Sequence, residues 1–257
     1  MARLDGSERS FHAALGSGVG GSSVFYAATL ERPEPHDLDH STSRPHPTGG
    51  WPVTYEEMRP YFDEAERLYS IHGDDDPLSA ISSPNLLPPP EPTPGDRVIM
   101  ERLKANGLHP YRLHAAVRYV DGCAECFGRK CPRPCKMDGR SAGVEPAVAT
   151  GRAAVLENAE VLRLHGDNER ITEVELRQEG RVHRIAAPSV ILAAGALSSP
   201  RILLNSASEA WPAGCANDSD QVGRNLMFHL NEIFALFAGK EAAASGPSKS
   251  VGFRDLY

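Results

Sequence analysis

The segment that most constrains this chain is Ser189-Val-Ile-Leu-Ala-Ala194, a continuous apolar run that stops at Gly195. A short run of this kind is the pattern of a strand buried on both faces. Ser199-Pro200 then starts a helix through Ile202, Leu203 and Leu204. Strand, glycine and helix in that order make a nucleotide-binding α/β unit, which takes its ligand at the carboxyl end of the strand. An ordinary strand-to-helix turn carries the same residues, so the run sets a fold expectation before it sets a ligand.

The rest of the pattern agrees with an α/β chain. Ala154–Glu157, Val161–His165, Ile171–Arg177 and Arg181–Ile185 are short, alternating segments, and Glu179-Gly180 reads as the turn of an antiparallel hairpin. Thr54 and Glu57 form a capping box, and Met58, Tyr61, Phe62, Ala65, Leu68 and Tyr69 then recur at helical spacing. Gly95 to Asn106 reads as a second helix, closed by Gly107. Five prolines within 33–52 and seven within 77–96 mark extended connections. The helical, proline-rich segment 51–122 therefore reads as an insertion, with the main lobe built from 10–32 and 150–230.

Composition excludes several classes. The 27 basic against 34 acidic side chains give a formal charge of −7, which disfavours a nucleic-acid partner. No apolar run reaches transmembrane length. The opening MARLDGSERS has no apolar core of a signal peptide, so the expectation is a cytoplasmic chain without a membrane span.

Two stretches carry chemistry. Gly16-Ser-Gly-Val-Gly-Gly-Ser-Ser23, followed by Val24–Leu30, reads as a glycine loop feeding a helix. Glycines let a backbone approach a ligand closely, and a helix N-terminus offers free N–H groups to a phosphate. Ser22 and Ser23 add hydroxyl donors. Cys123, Cys126, Cys131 and Cys135 lie within thirteen residues, with Pro132 and Pro134 between the last two. Four thiolates so close can hold an iron–sulfur cluster or a zinc ion, or stand as reduced thiols or disulfides. The spacing matches neither a ferredoxin run nor a zinc ribbon.

Four motifs in order give a resemblance: Gly16–Arg32, Trp51–Glu66, Ser189–Ser206 and Gln221–His229. Together they resemble the glucose–methanol–choline (GMC) oxidoreductases, flavoenzymes that oxidise alcohols with FAD. The resemblance implies a partial FAD-binding, Rossmann-like domain and an oxidoreductase acting on the CH–OH group of an alcohol or sugar. It implies FAD contacts at Gly18, Gly20, Gly21, Ser22 and Ser23, adenine pairing at the backbone of Val161, and packing at Ala194 and Gly195. Asn225 falls in a stretch near the cofactor. Some similar flavin dehydrogenases carry an iron–sulfur cluster in a loop like 123–135, which would pass electrons to an external acceptor.

Departures from the family pattern shape the expectation. Tyr26 stands where Asn or His is usual, and Ala207 where Gly is usual. No strand with a Gly-x-Gly-x-x-Gly turn precedes Gly16, and no residue matches the family's catalytic His. His229 reads as structural, and His12, His109 and His114 carry no context. The chain therefore reads as the middle of such an enzyme, inactive by itself. Two other readings stay open: a remnant or interaction module without flavin, and a small iron–sulfur or metal-binding module.

Overall fold

The computed structural model describes residues 2–4, 7–9, 15–123, 125–227 and 250–257. They form two compact units, Met1–Ala153 with Leu236–Tyr257, and Ala154–Ala235. His12, residues 10–14 of the expected lobe and His229 lie outside the described residues.

In the first unit, β1 (Ala2–Leu4) and β2 (Ser7–Arg9) pair antiparallel, as do β3 (Tyr111–Arg112) and β7 (Val251–Gly252). Three helices follow cap signals in the sequence. A one-turn α1 spans Pro35–Leu38, in the first proline-dense stretch. The Thr54 hydroxyl accepts from the Glu57 N–H at 3.3 Å and the Glu57 carboxylate accepts from the Thr54 N–H at 2.8 Å, starting α2 (Tyr55–Tyr69). Thr93 and Asp96 repeat that exchange at the start of α3 (Pro94–Ala105), and Gly107 follows it at φ +78°. A π-helical turn, Gly139–Val144, leads into α4 (Glu145–Ala149).

This unit has a small apolar core and a polar frame. Ala28, Ala115, Ala116, Val117, Met137 and Ala142 form the apolar cluster. Around it, the buried Arg32 guanidinium pairs with Glu66 through two N–H donors and with Asp63. The expected helix Val24–Leu30 is absent. A single 3₁₀ turn, Gly21–Phe25, gives way to irregular backbone, left-handed at Ala28 (φ +58°), that forms an isolated bridge from Thr29 to Ala115, while the Ala28 carbonyl accepts from Ala116 N–H at 2.8 Å. These long-range backbone bonds override local helical preference here.

In the second unit β4 (Ala159–Gly166), β5 (Ile171–Gln178) and β6 (Arg181–Ala186) form the expected antiparallel meander, in the order β4-β5-β6. Val161 faces Leu176 in the register, next to a bulge before Arg163. Leu164 packs with Ile202 and Cys215, joining the sheet to α5 (Gly195–Asn205). Mixed helices and antiparallel sheets thus give the α/β class expected.

Three local expectations are corrected. Ala154–Glu157 is not a strand: Val155 and Leu156 are exposed, and the segment joins no sheet. Val190–Ala194 is irregular and takes no sheet partner among the described residues; Ile191 is 92% exposed, while Val190 and Leu192 pack half-buried against the Leu164 cluster. A strand buried on both faces needs neighbours for its N–H and C=O groups, and the meander supplies none. The helix after it begins at Gly195 instead of Ser199-Pro200, because the Ser199 hydroxyl reaches back to accept from Ala194 N–H at 3.1 Å. No described helix is long and apolar enough to cross a membrane.

Candidate functional site

The glycine loop of the first unit is shaped by its own backbone. Gly18, Gly20 and Gly21 lie at φ +125°, +91° and +54°, a region that side chains rarely adopt. A Cβ on Gly20 would meet Val24 Cγ1 at 2.7 Å and Arg140 at 3.0 Å, whereas Gly18 and Gly21 face open space. The loop is therefore pressed against the turn after the cysteines on one side and open on the other. Ser23 makes the join: its hydroxyl donates to the Gly20 carbonyl at 2.6 Å and accepts from Gly139 N–H at 2.9 Å. Ser22 accepts from Gly16 N–H at 2.9 Å. Both hydroxyls thus serve the loop's own shape.

The anchor behind this loop is Lys136, which sequence reasoning missed. It is fully buried, and its Nζ donates to the carbonyls of Val24 (2.7 Å), Arg129 (2.8 Å), Cys126 (2.9 Å) and Tyr26 (3.2 Å). Burial pushes the ammonium pKa down, against the pull of Asp138, Cys126 and Cys131. The Tyr26 hydroxyl donates to the Met137 carbonyl, and burial pushes this phenol far above its ordinary range. Nothing in the spacing singles out Lys136, since its four acceptors are backbone groups gathered from two loops.

The structure does bring the cysteines together. Cys126, Cys131 and Cys135 pack as one buried cluster, with Cys123 against it. All are free thiols. The iron–sulfur or zinc expectation is not supported, because among the described residues no group of three or more Cys, His, Asp or Glu side chains is arranged to hold a metal. Cys131 Sγ lies 3.2 Å from Cys135 Sγ. Two thiolates on one tetrahedral zinc, with Zn–S near 2.3 Å, would stand about 3.8 Å apart.

In the second unit, α5 and residues 223–227 border an open pocket of about 510 Å³. Leu197, Leu204, Leu226 and Met227 supply apolar walls, and Arg201, Arg224 and Asn225 supply polar groups. Asn225 sits in the left-handed region at φ +57°. Gly195, at φ +83°, opens the helix that walls this pocket, and a Cβ there would meet nothing. Arg201 also reaches Glu160 at 3.6 Å, one residue before Val161. Asn225 therefore shares a pocket with the helix that Ala194 and Gly195 start.

The decisive comparison is with protein families: residues 6–231 match the GMC oxidoreductase profile. The chain belongs to the GMC oxidoreductases. Within this family it is similar to the fructose dehydrogenase large subunit of Gluconobacter japonicus, at 30% identity over 93% of this chain and 46% of that protein. It is similar to 6'''-hydroxyparomomycin C oxidase of Streptomyces lividus, at 29% identity over 94% of this chain and 48% of that protein. A third GMC-related match is 2-methyl-1,2-propanediol dehydrogenase of Mycolicibacterium austroafricanum, at 29% identity over 86% and 42%. The chain spans about half the length of the curated relatives it matches. Membership in this family makes the chain's relatives oxidoreductases and implies FAD as the cofactor.

Proposed function

We propose that this chain supplies the flavin-binding share of an FAD-dependent oxidoreductase acting on the CH–OH group of an alcohol or sugar. The observation that carries the reading is the family match across 6–231. Relatives named for the oxidation or dehydrogenation of a sugar, an aminoglycoside and a diol support a small hydroxylated substrate.

The residues fit the cofactor in each unit separately. Gly18 and Gly21 hold positive φ beneath open space, so a phosphate-bearing group can approach their backbone closely. In the second unit, the pocket of Arg201, Arg224 and Asn225 between leucines suits a ligand with both aromatic and charged parts. In this reading Val161 contributes its backbone to the adenine end, Ala194 and Gly195 a close-packed edge, and Ser22 and Ser23 a loop of fixed shape. FAD, when bound, supplies the two-electron acceptor for the hydride of the alcohol. Proton removal from the alcohol falls to residues beyond those with a role here, and an external acceptor reoxidises the flavin.

One observation favours a second reading, in which this chain by itself binds no flavin. Among the described residues Val190–Ala194 takes no sheet partner, and Ile191 is exposed, where a nucleotide-binding unit needs a paired strand. The test is flavin absorbance and dye-coupled alcohol oxidation on the 257-residue chain and on a longer protein that completes it with the unmatched length of a GMC relative. Flavin and turnover in the longer protein, with turnover reduced at least about a hundredfold in the 257-residue chain, are expected. Turnover by the short chain alone would refute its dependence on further residues. Absence of flavin from both would establish the remnant reading.

A further inference from the structure

The cysteine cluster does not have the arrangement of a metal cage, and its geometry points elsewhere. Cys131 and Cys135 sit with their sulfurs 3.2 Å apart, longer than a bond and closer than two ligands of one zinc ion. Cys126 packs beside the pair, and the Cys123 side chain also hydrogen-bonds Cys135. The loop that joins the two sulfurs, Pro132-Arg133-Pro134, is exposed on all three residues. Its prolines restrict the backbone, so the two thiols are held in place by the chain itself.

We propose that Cys131 and Cys135 are an oxidant-responsive dithiol, in which a hydroperoxide converts the pair to a disulfide. To reach bonding distance the sulfurs need to close by only about 1.1 Å.

The environment divides the roles. Burial pushes the Cys131 thiol up, but hydrogen bonds from the Lys136 N–H, the Cys135 thiol and the N–H groups of Arg133 and Cys135 outweigh it and bring the thiol below its ordinary value. Cys135 moves the other way, raised by burial and by its hydrogen bond and negative neighbour Cys131. The buried ammonium of Lys136 and the charge of Cys131 attract one another, since each favours the other's ionised form. Cys131 is thus the attacking thiolate and Cys135 the resolving thiol.

The chemistry balances with hydrogen peroxide as the co-reactant. The Cys131 thiolate attacks one peroxide oxygen, the O–O bond breaks, and a sulfenic acid and hydroxide form. The Cys135 sulfur then attacks the sulfenic sulfur. The S–S bond forms, the S–O bond breaks, and the hydroxyl leaves as water with the thiol proton. Hydroxide takes up the proton that Cys131 gave up on ionising. Two thiols are oxidised and one peroxide is reduced to two waters.

The test needs neither flavin nor turnover, so its failure is separable from failure of the proposed function. The folded 257-residue chain is purified without oxygen, assayed for iron and zinc, treated with hydrogen peroxide, alkylated and mapped without reductant. The expected result is no stoichiometric metal and a peptide cross-linked Cys131 to Cys135, two hydrogen masses lighter, with Cys123, Cys126 and Cys215 alkylated. In Cys135→Ser a sulfenic-acid probe should label position 131. In Cys131→Ser position 135 should stay unlabelled, and circular dichroism of both variants checks that they fold. Five alkylated cysteines after peroxide, a different pairing, equal labelling in the two variants, or iron or zinc bound by the cluster would each overturn the proposal.

Discussion

The two units are held together by different physics. The first has an apolar core made mostly of alanines and depends on buried charge: Lys136 on four carbonyls, Arg32 on Glu66 and Asp63, and Arg254 on Glu34 at 2.9 Å. The second relies on apolar packing, with Leu164, Ile202 and Cys215 buried and Val161, Val174, Val190, Leu192 and Trp211 half-buried against them. Its sheet has every residue of β6 exposed, and apolar Ile191 and Met227 stand in solvent at 92% and 87%. Small apolar surface stabilises little, at about 25 cal/mol per Å². A unit can offset that with satisfied polar networks, which fix one arrangement but tolerate no missing partner. The first unit does so in part, since the buried Tyr55 hydroxyl, Arg112 Nη1 and Asp138 Oδ2 have no hydrogen-bond partner among the described residues. Both units keep apolar side chains in solvent, Trp51 and Leu256 in the first and Ile191 and Met227 in the second.

The sharpest way to break this comparison is Lys136→Met. It keeps the apolar stem but takes the ammonium from the carbonyls of Val24, Tyr26 and Arg129, while that of Cys126 keeps the Arg129 N–H at 3.3 Å, so a loss of about 3–5 kcal/mol is expected, confined to the first unit. Hydrogen exchange resolved by peptide would check it, and uniform loosening of both units would contradict the contrast. Leu164→Ala, the counterpart in the second unit, should cost about 2–4 kcal/mol and leave protection around Lys136 unchanged.

Acid probes the polar frame more gently. Asp255 is held below the usual carboxylate range by His109, whose backbone N–H and ring Nδ1 lie 3.0 and 2.6 Å from it. Asp96 is pushed up by burial, but hydrogen bonds from Ser250 and Thr93 prevail and hold it low. A carboxyl that ionises more readily when folded stabilises the fold above its ordinary pKa and loses that contribution as pH falls through its lowered value. Residues 250–257 should therefore lose exchange protection between about pH 5 and pH 3, and β4–β5 protection that fell first would oppose this. The smallest effect belongs to Ile191→Ser. At 92% exposure it should shift stability of this chain by less than about 0.5 kcal/mol, measured by chemical denaturation. A large loss would mean the segment packs in solution.

Local rules read from the sequence were reliable where one short segment decides the outcome. The Thr54–Glu57 box, the helix expected over Gly95–Asn106 and found at Pro94–Ala105, and the Glu179-Gly180 hairpin depend on residues close in the chain, and each is present. The meander followed from alternation, with Leu164 and Leu176 the buried positions of their strands and polar Arg163, His165, Glu175 and Arg177 half-buried or exposed beside them. The failures had a common cause. Val24–Leu30 and Val190–Ala194 are apolar runs that suit helix or strand, and distant backbone partners settled their state: an isolated bridge at Thr29 in the first, no sheet partner among the described residues in the second.

The site divides in the same way. By itself the sequence determined the glycines of the loop, the four clustered thiols, the order of the motifs and hence the family. Each is a matter of residue type and spacing along the chain. Only the tertiary structure decided that Ser23 is engaged by Gly139, that Asn225 shares a pocket with α5, and that Cys131 and Cys135 meet as a pair. It alone showed Lys136, whose partners Val24 and Arg129 lie 112 and 7 residues away. Hydrogen bonds and thiol contacts act over about 3 Å, a distance that sequence spacing sets only for residues adjacent in the chain and that folding sets for all the others.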